Sequence, residues 1–162
     1  FNEARKAIQD VTNQIRSLQF RLHPGMLDDL GLIPALEYYL QTLEKNRKLT
    51  VELDYSGIDG KLTPEVNWTA YRIIQEALEN VIKHAGTESA MVNVSGSDST
   101  LILRIDDGGK GFDPARVSGA GGGLSEIKER ALSVGGTAEI ESSPGAGTKV
   151  IIKLPVKKSA EK

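Results

Sequence analysis

Three glycine-rich segments divide the second half of this chain into short elements. They cover residues 108–111, 119–123 and 145–147. Before the first segment, apolar residues alternate over 90–95 and 100–106, which predicts two strands joined as a hairpin. A second hairpin is predicted over 137–142 and 148–154, across the third segment. Between the hairpins, the pattern over 124–134 predicts a helix that ends on Gly135 and Gly136.

The first half of the chain adds two helices and one strand to this pattern. Pro34 suits the first turn of a helix that runs to about Asn46, and residues 49–55 alternate as a strand. Thr63 is a good N-cap, and the helix that it opens should run to about His84. Three helices and about five strands predict an α+β fold, a two-layer α/β sandwich over residues 34–156.

Residues 1–23 carry a different pattern, a narrow apolar seam. Its members alternate in spacings of three and four: Phe1, Ala4, Ile8, Val11, Ile15, Leu18 and Leu22. Such a seam is typical of a coiled coil or helical bundle, although a helix docked on its own domain is the alternative. Pro24 should end the helix, residues 24–33 should form a linker, and residues 157–162 a disordered tail. Because the seam begins in mid-pattern, we expect a piece of a longer polypeptide.

Composition excludes several classes of function. The net charge of −2 and the pI near 5.8 give no general attraction to nucleic acid or to an anionic membrane. The chain has no cysteine and only two histidines, which excludes disulfides, thiolate sites and histidine-rich metal sites. No apolar run approaches the roughly 18 residues of a membrane span, and no signal peptide is visible.

The long helix of the first half carries a polar stripe. Glu76, Asn80, Lys83 and His84 fall on one face, whereas the opposite positions are apolar. Those positions, expected to pack on the sheet, are Ile73, Ile74, Ala77, Leu78, Val81 and Ile82. An amide oxygen is a hard ligand for Mg²⁺, and substrate phosphates can complete its shell. The stripe therefore suits a magnesium ion and a triphosphate, although a solvated polar face explains it about as well.

The glycine segments suit a nucleotide too. Asp107 stands at a strand end before the first segment, where a carboxylate could accept a hydrogen bond from the amino group of adenine. The segment 119–123 precedes a helix, and amides at such a helix start form a phosphate cradle. It is neither a Walker A motif nor a Rossmann turn. The alternatives are a surface loop and a flexible linker.

Taken in order, these motifs resemble one family. A Glu-x-x-x-Asn-x-x-Lys-His helix, then Asp-x-Gly-x-Gly, Gly-x-Gly-Leu and Gly-x-Gly-Thr, resembles the GHKL ATPases, which have a Bergerat-type ATP-binding fold. Within that group, residues 22–32, 75–85 and 123–131 resemble sensor histidine kinases of the NarX class, the partners of NarL-type regulators. The resemblance covers roughly residues 1–155 and makes residues 1–23 the second helix of a dimerisation and phosphotransfer bundle.

The resemblance also implies roles for single residues. Asn80 would bind Mg²⁺ and ATP, Asp107 would bond the adenine amino group, and Glu76 would orient or activate the attacking group. The remaining ATP-binding positions would be Lys83, His84, Gly109, Gly111, Gly121, Gly123, Leu124 and Thr148. Gly121 and Gly123 are chosen for the lid because Leu124 follows directly, although the extra glycine in this segment leaves the register ambiguous.

The implied function is transfer of the γ-phosphoryl of Mg-ATP to a histidine outside this chain, then to a response regulator. The implied protein is a homodimer through its bundle helix and cytoplasmic in this part, with no nucleic-acid partner and no direct membrane contact. Two departures are His23, where arginine is usual, and Gly108, where asparagine is common. His23 precedes a proline, so we expect a linker histidine and not the phosphoacceptor. The rivals are an anti-sigma factor serine kinase and a non-catalytic dimerisation module.

Overall fold

The computed structural model describes residues 25–58, 62–97, 99–117 and 122–156. Its helices are α1 (Gly25–Leu30), α2 (Leu32–Arg47), α3 (Pro64–Asn80) and α4 (Gly123–Ser133). A π-helical turn (Val81–Ala85) continues α3, and a short 3₁₀ turn covers Pro114–Arg116. The strands are β1 (Thr50–Ser56), β2 (Ser89–Gly96), β3 (Thr100–Asp107), β4 (Thr137–Ser142) and β5 (Thr148–Pro155). The α+β fold expected from the sequence is confirmed in this part of the chain.

The five strands form one mixed sheet in the order β1-β2-β3-β5-β4. The two predicted hairpins give antiparallel pairs, and β3 pairs antiparallel with β5 between them. β1 pairs with β2 in parallel, because the long crossover through α3 returns the chain in the same direction. This order places the end of β3 beside the start of β5 in the centre of the sheet, where Asp107 lies opposite Thr148.

The helices cover one face of the sheet, and alternation along each strand builds the core between the layers. Val92, Leu103 and Ile152 are fully buried on the covered face, as the period-2 pattern requires. The opposite face carries polar pairs, including the ion pair between Lys149 and Glu141 at 3.0 Å. The structure is therefore a two-layer sandwich with one face of its sheet polar.

Helix α3 is the element that joins the core to the site. The Thr63 side chain accepts a hydrogen bond from the Val66 amide at 3.4 Å, and Pro64 occupies the first turn. Five of the six apolar positions predicted to face the sheet are buried: Ile73, Ile74, Ala77, Leu78 and Val81. Ile82 is half-buried and packs against the core. The apolar face expected from the sequence is confirmed.

The structure differs from the sequence prediction at the start of the described chain. Residues 25–30, expected to belong to a linker over 24–33, form α1, and Leu27 in this helix is only 1% exposed. Six residues are too short to show a helical period, and the flanking glycines read as loop signals. Helix α2 runs from Leu32 to Arg47 with Pro34 in its first turn, as the sequence predicted. The predicted bundle helix (1–23) and tail (157–162) lie outside the described residues.

Candidate functional site

A cavity of about 380 Å³ opens between the end of α3, the ends of β3 and β5, and the start of α4. This volume lies within the range of small-molecule sites, roughly 300–1,000 Å³. Its described lining has an apolar part: Ala77, Val81, Ala85, Ile105, Phe112, Val117, Leu124 and Val150. The rest of the lining is polar or glycine: Asn80, His84, Asp107, Lys110, Gly111, Gly122, Gly123, Ser125 and Thr148. Both halves of the chain therefore meet at one concave site.

The sheet contributes one row of side chains to this site. Asp107 and Thr148 are cross-strand partners, and Thr148 is also the partner of Ser142 on β4. One oxygen of Asp107 accepts a hydrogen bond from the Gly109 amide at 2.9 Å, which holds the carboxylate in a turn with its own loop. The Thr148 hydroxyl lies 3.2 Å from that of Ser142. Oxygen atoms therefore dominate the polar surface at this sheet edge.

The glycines after Asp107 bring the loop against neighbouring backbone. A Cβ at Gly109 would overlap Ala85, the last residue of the π turn, and the Lys110 amide donates to the Ala85 carbonyl at 2.8 Å. Gly111 has φ +59° and lies against the turn between β4 and β5, so it needs both the freedom and the size of glycine. Gly111 lines the cavity, whereas Gly109 lies behind the lining and acts through packing.

Helix α3 supplies the amide of Asn80. Its Nδ2 is buried and has no hydrogen-bond partner among the described residues. A Cβ at Gly123 would overlap both this amide and the Glu76 carboxylate. Glycine at position 123 thus allows the first turn of α4 to lie directly on the two side chains that the sequence assigned to magnesium and to catalysis.

The π turn changes which members of the polar stripe reach the cavity. Residues 81–85 form a π turn, which takes more residues than an α turn and so changes the spacing of side chains around the helix. His84 lines the cavity, whereas Lys83 does not and lies 3.6 Å from Glu79 in an ion pair. Of the four stripe residues, Asn80 and His84 line the cavity, whereas Glu76 and Lys83 do not. Lys110, from the loop after β3, supplies a cation to the cavity wall.

The start of α4 closes another side of the cavity. Gly122 and Gly123 line it together with Leu124 and Ser125. The first amides of a helix have no intrahelical acceptor, and they carry the positive end of the helix dipole. An anionic group could therefore bind here. Gly121, which was also expected in this segment, lies outside the described residues.

Sequence reasoning left several residues of the site unassigned, among them Lys110, Phe112, Val117, Gly122, Ser125 and, beside the lining, Ser142. Lys110 and Phe112 lie within the motif that was noticed, and their neighbouring glycines were the signal for a close-packed loop. Val117 and Ser125 flank the second glycine segment. Ser142 gives no local signal, because its partners come from two other segments of the chain.

The residues present fit a magnesium ion held mainly by a substrate. Within the part of the chain that the structure describes, no group of three histidine or acidic side chains could hold a metal. One amide oxygen, completed by phosphate oxygens and water, is an ordinary environment for Mg²⁺. The buried Nδ2 of Asn80 has no partner among the described residues, and a phosphate oxygen of that substrate would satisfy it.

Comparison with known proteins agrees with this geometry. Residues 66–158 match the model of the family described as histidine kinase-, DNA gyrase B- and HSP90-like ATPase. The chain belongs to this ATPase family. The match spans α3, the glycine segments and both hairpins, so it covers the whole cavity, and it confirms ATP as the ligand class expected from the sequence.

Two curated relatives of this ATPase domain are bacterial kinases. It is 32% identical over 154 residues to the signal transduction histidine-protein kinase/phosphatase DegS of Brevibacillus brevis. It is 34% identical over 147 residues to the sensor histidine kinase LiaS of Bacillus subtilis (strain 168). The alignments cover 95% and 91% of this chain, but 40% of each relative. The resemblance to sensor histidine kinases is confirmed, whereas the narrower NarX class stays a prediction.

Solved structures share the fold of this ATPase domain. The blue-light activated histidine kinase EL346 of Erythrobacter litoralis matches with a TM-score of 0.66 at 17% identity, over 93% of this chain and 50% of that protein. The histidine kinase AdeS of Acinetobacter baumannii matches with a TM-score of 0.63 at 15% identity, over 98% and 84%. No helix in the described ranges has the length and apolarity needed to cross a membrane.

Proposed function

We propose that this chain is the ATP-binding catalytic domain of a sensor histidine kinase, and that its cavity holds Mg-ATP. The observation that carries the proposal is the pairing of two kinds of group in one cavity. Asp107 and Thr148 offer hydrogen-bond acceptors suited to an adenine amino group, whereas the start of α4 and Lys110 offer positive charge suited to phosphates. Apolar side chains between them suit a purine ring.

Four polar side chains in or beside the cavity have further tasks. Asn80 would coordinate Mg²⁺ through its amide oxygen and donate to a phosphate oxygen through its buried Nδ2. The magnesium ion would neutralise charge on the phosphates, which is the main electrostatic requirement of phosphoryl transfer. Glu76, which lies beside Asn80 under Gly123, would orient or activate the attacking group. His84 and Lys110 would hold the phosphates or the ribose.

The rest of the task is positioning. The hydrogen bond from the Lys110 amide to the Ala85 carbonyl fixes the loop after Asp107 to the π turn that continues α3. The Asp107 carboxylate therefore does not have to be ordered when a nucleotide binds. A nucleotide held along its base and phosphates would present the γ-phosphoryl group to an incoming histidine. Transfer is then accelerated mainly by orientation and charge stabilisation.

The proposal extends to partners outside the described residues. The acceptor would be a histidine on a bundle helix, and residues 1–23 would supply the helix through which the full protein forms a homodimer. A response regulator would take the phosphoryl group onto an aspartate, and the domain would work in the cytoplasm, where ATP is available. The seam over residues 1–23 disfavours an anti-sigma factor serine kinase. The intact cavity disfavours a non-catalytic module.

The test is a nucleotide titration with two variants and two matched controls. Asp107→Asn should weaken ATP binding about tenfold to hundredfold, since a hydrogen bond to a charged acceptor is worth roughly 1.5–3 kcal/mol. That loss should persist when magnesium is chelated. Asn80→Ala should weaken Mg-ATP binding, with little further loss on chelation.

The controls share residue type but not location. Asp106→Asn changes the neighbouring carboxylate, which lies 2.6 Å from Arg104 on the polar face of the sheet. Asn93→Ala changes an amide bonded to Asp54 on the same face. Both should bind ATP as the parent does. A parent that binds no ATP would refute the proposed function, and full affinity in Asp107→Asn would refute the adenine contact.

A second measurement concerns the phosphoryl acceptor. Incubation with ATP labelled at the γ-phosphate should leave this chain unlabelled, because its only histidines are His23 and His84 and neither is the proposed acceptor. An acid-labile label on His23 would overturn that assignment.

A further inference from the structure

The Ser142 hydroxyl is a hydrogen-bond centre that none of the sequence motifs contains. It receives the Phe112 amide proton at 2.9 Å and lies 2.8 Å from the Gly147 carbonyl oxygen. Its third neighbour is the Thr148 hydroxyl at 3.2 Å. Ser142 thus ties the loop after β3, the turn before β5 and the cavity wall together.

The directions of these bonds follow from counting protons. A serine hydroxyl has one proton and two lone pairs. The Gly147 carbonyl can only accept, so the Ser142 proton goes to it, and the Phe112 amide can only donate, so it occupies one lone pair. The remaining lone pair faces Thr148, which must therefore donate its own proton to Ser142.

The consequence reaches the cavity through Thr148. With its proton directed at Ser142, the Thr148 oxygen offers only lone pairs to a ligand. The neighbouring Asp107 carboxylate is an acceptor too, and one of its oxygens already binds the Gly109 amide. Two adjacent cavity-lining groups are then acceptors, with no donor on either of them to meet a carbonyl oxygen.

We infer that Ser142 is a positioning residue that sets base selectivity: it fixes the Thr148 hydroxyl as an acceptor, so that the cavity favours a purine with an amino group at C6. Adenine has an amino donor at this position, whereas guanine and hypoxanthine have a carbonyl oxygen. This inference rests on the proposed ATP site and adds the residue that keeps other purine nucleotides out. A site whose polar groups would be left unpaired rejects the wrong ligand strongly.

The experiment compares ATP with inosine triphosphate, which replaces the C6 amino group by a carbonyl. The parent should bind ATP at least about tenfold more tightly than inosine triphosphate. In Ser142→Ala, Thr148 loses the acceptor of its proton and is free to donate to the C6 carbonyl. The preference should therefore fall about threefold or more, while the part that the Asp107 carboxylate contributes remains.

Three further variants separate selectivity from simple loss of structure. Ser142→Thr keeps the hydroxyl and should keep the parent's preference. Ser143→Ala removes the exposed serine next in sequence and should also keep it. Thr148→Val removes the Thr148 hydroxyl itself and should lower the preference for ATP over inosine triphosphate. This variant tests the inference even if circular dichroism shows that Ser142→Ala does not fold.

The outcomes distinguish this inference from the proposed function. A parent that binds neither nucleotide refutes both. A parent that binds ATP and inosine triphosphate equally refutes the role of Ser142 alone. Equal weakening of both nucleotides in Ser142→Ala, with the preference intact, would mean that Ser142 only supports the fold.

Discussion

Replacement of Gly109 by alanine should loosen the contact between the loop after β3 and the end of α3. The added methyl carbon would lie 2.7 Å from the Ala85 Cβ, against 3.4–4 Å for an ordinary contact. The backbone must therefore separate by close to 1 Å, since the obstructing atoms include the Ala85 main chain. That movement would also break the bond between the Lys110 amide and the Ala85 carbonyl, now 2.8 Å long.

The expected cost follows from these two effects. Overpacking costs about 1–3 kcal/mol, and a lost backbone hydrogen bond adds about 1 kcal/mol. For a domain of this size, 1 kcal/mol corresponds to roughly 2–4 °C. Gly109→Ala should therefore lower the Tm by about 5–15 °C and weaken nucleotide binding with it.

The adjacent Gly108 provides the matched control. A Cβ there would meet nothing within 4 Å, and its φ is not in the left-handed region. Gly108→Ala should leave the Tm unchanged or raise it slightly, because it reduces the freedom of the unfolded chain. Thermal unfolding followed by circular dichroism measures both variants. Equal Tm values would show that the contact with Ala85 does not stabilise the domain.

Two further predictions concern α4 and the core. Gly123→Ala should displace the Glu76 and Asn80 side chains and reduce magnesium-dependent ATP affinity about tenfold. Gly122→Ala should leave the affinity unchanged, because the space around Gly122 is open. Equal ATP affinities of the two variants in a titration would contradict this prediction. Tyr71 is fully buried, and its hydroxyl has no hydrogen-bond partner among the described residues, so Tyr71→Phe should raise the free energy of unfolding by about 1 kcal/mol at pH 7. Burial also raises the pKa of Tyr71. Above about pH 10 the unfolded chain therefore loses this proton while the folded chain keeps it, so the parent should lose stability with rising pH faster than Tyr71→Phe. Free energies of unfolding in urea that change equally with pH in both proteins would contradict this.

The helices and strands were predictable because their periods are local. The strands predicted over 90–95 and 100–106 are one or two residues longer in the structure. The helix predicted over 124–134 runs from Gly123 to Ser133. Alternation needs only the burial of one face, which a sheet covered by helices on one side provides. Helix α1 was not predictable in this way, because it is held by the packing of Leu27 and not by a repeated pattern.

The candidate site was predictable in its residue types and less so in its geometry. Asn80, Asp107 and Thr148 were found because each stands in a motif, whereas the sequence gives no sign of the π turn that carries Lys83 and His84. Such a turn gains its stability from contacts made elsewhere. Its last residue accepts the Lys110 amide, and Gly86 at φ 67° ends it.

The glycines of the motifs were interpreted as positions where the backbone approaches a ligand. In the structure, three of them lie against other segments of the chain. Gly109 lies against Ala85 of the long helix, and Gly123 lies against Asn80. Gly147 has φ +72° and lies against the Asp107 backbone. Each glycine thus brings one polar side chain of the cavity to its place by letting two segments of backbone meet. A cavity built in this way depends on contacts between segments far apart in the chain, so its shape should be lost with the cooperative unfolding of the domain and not before it.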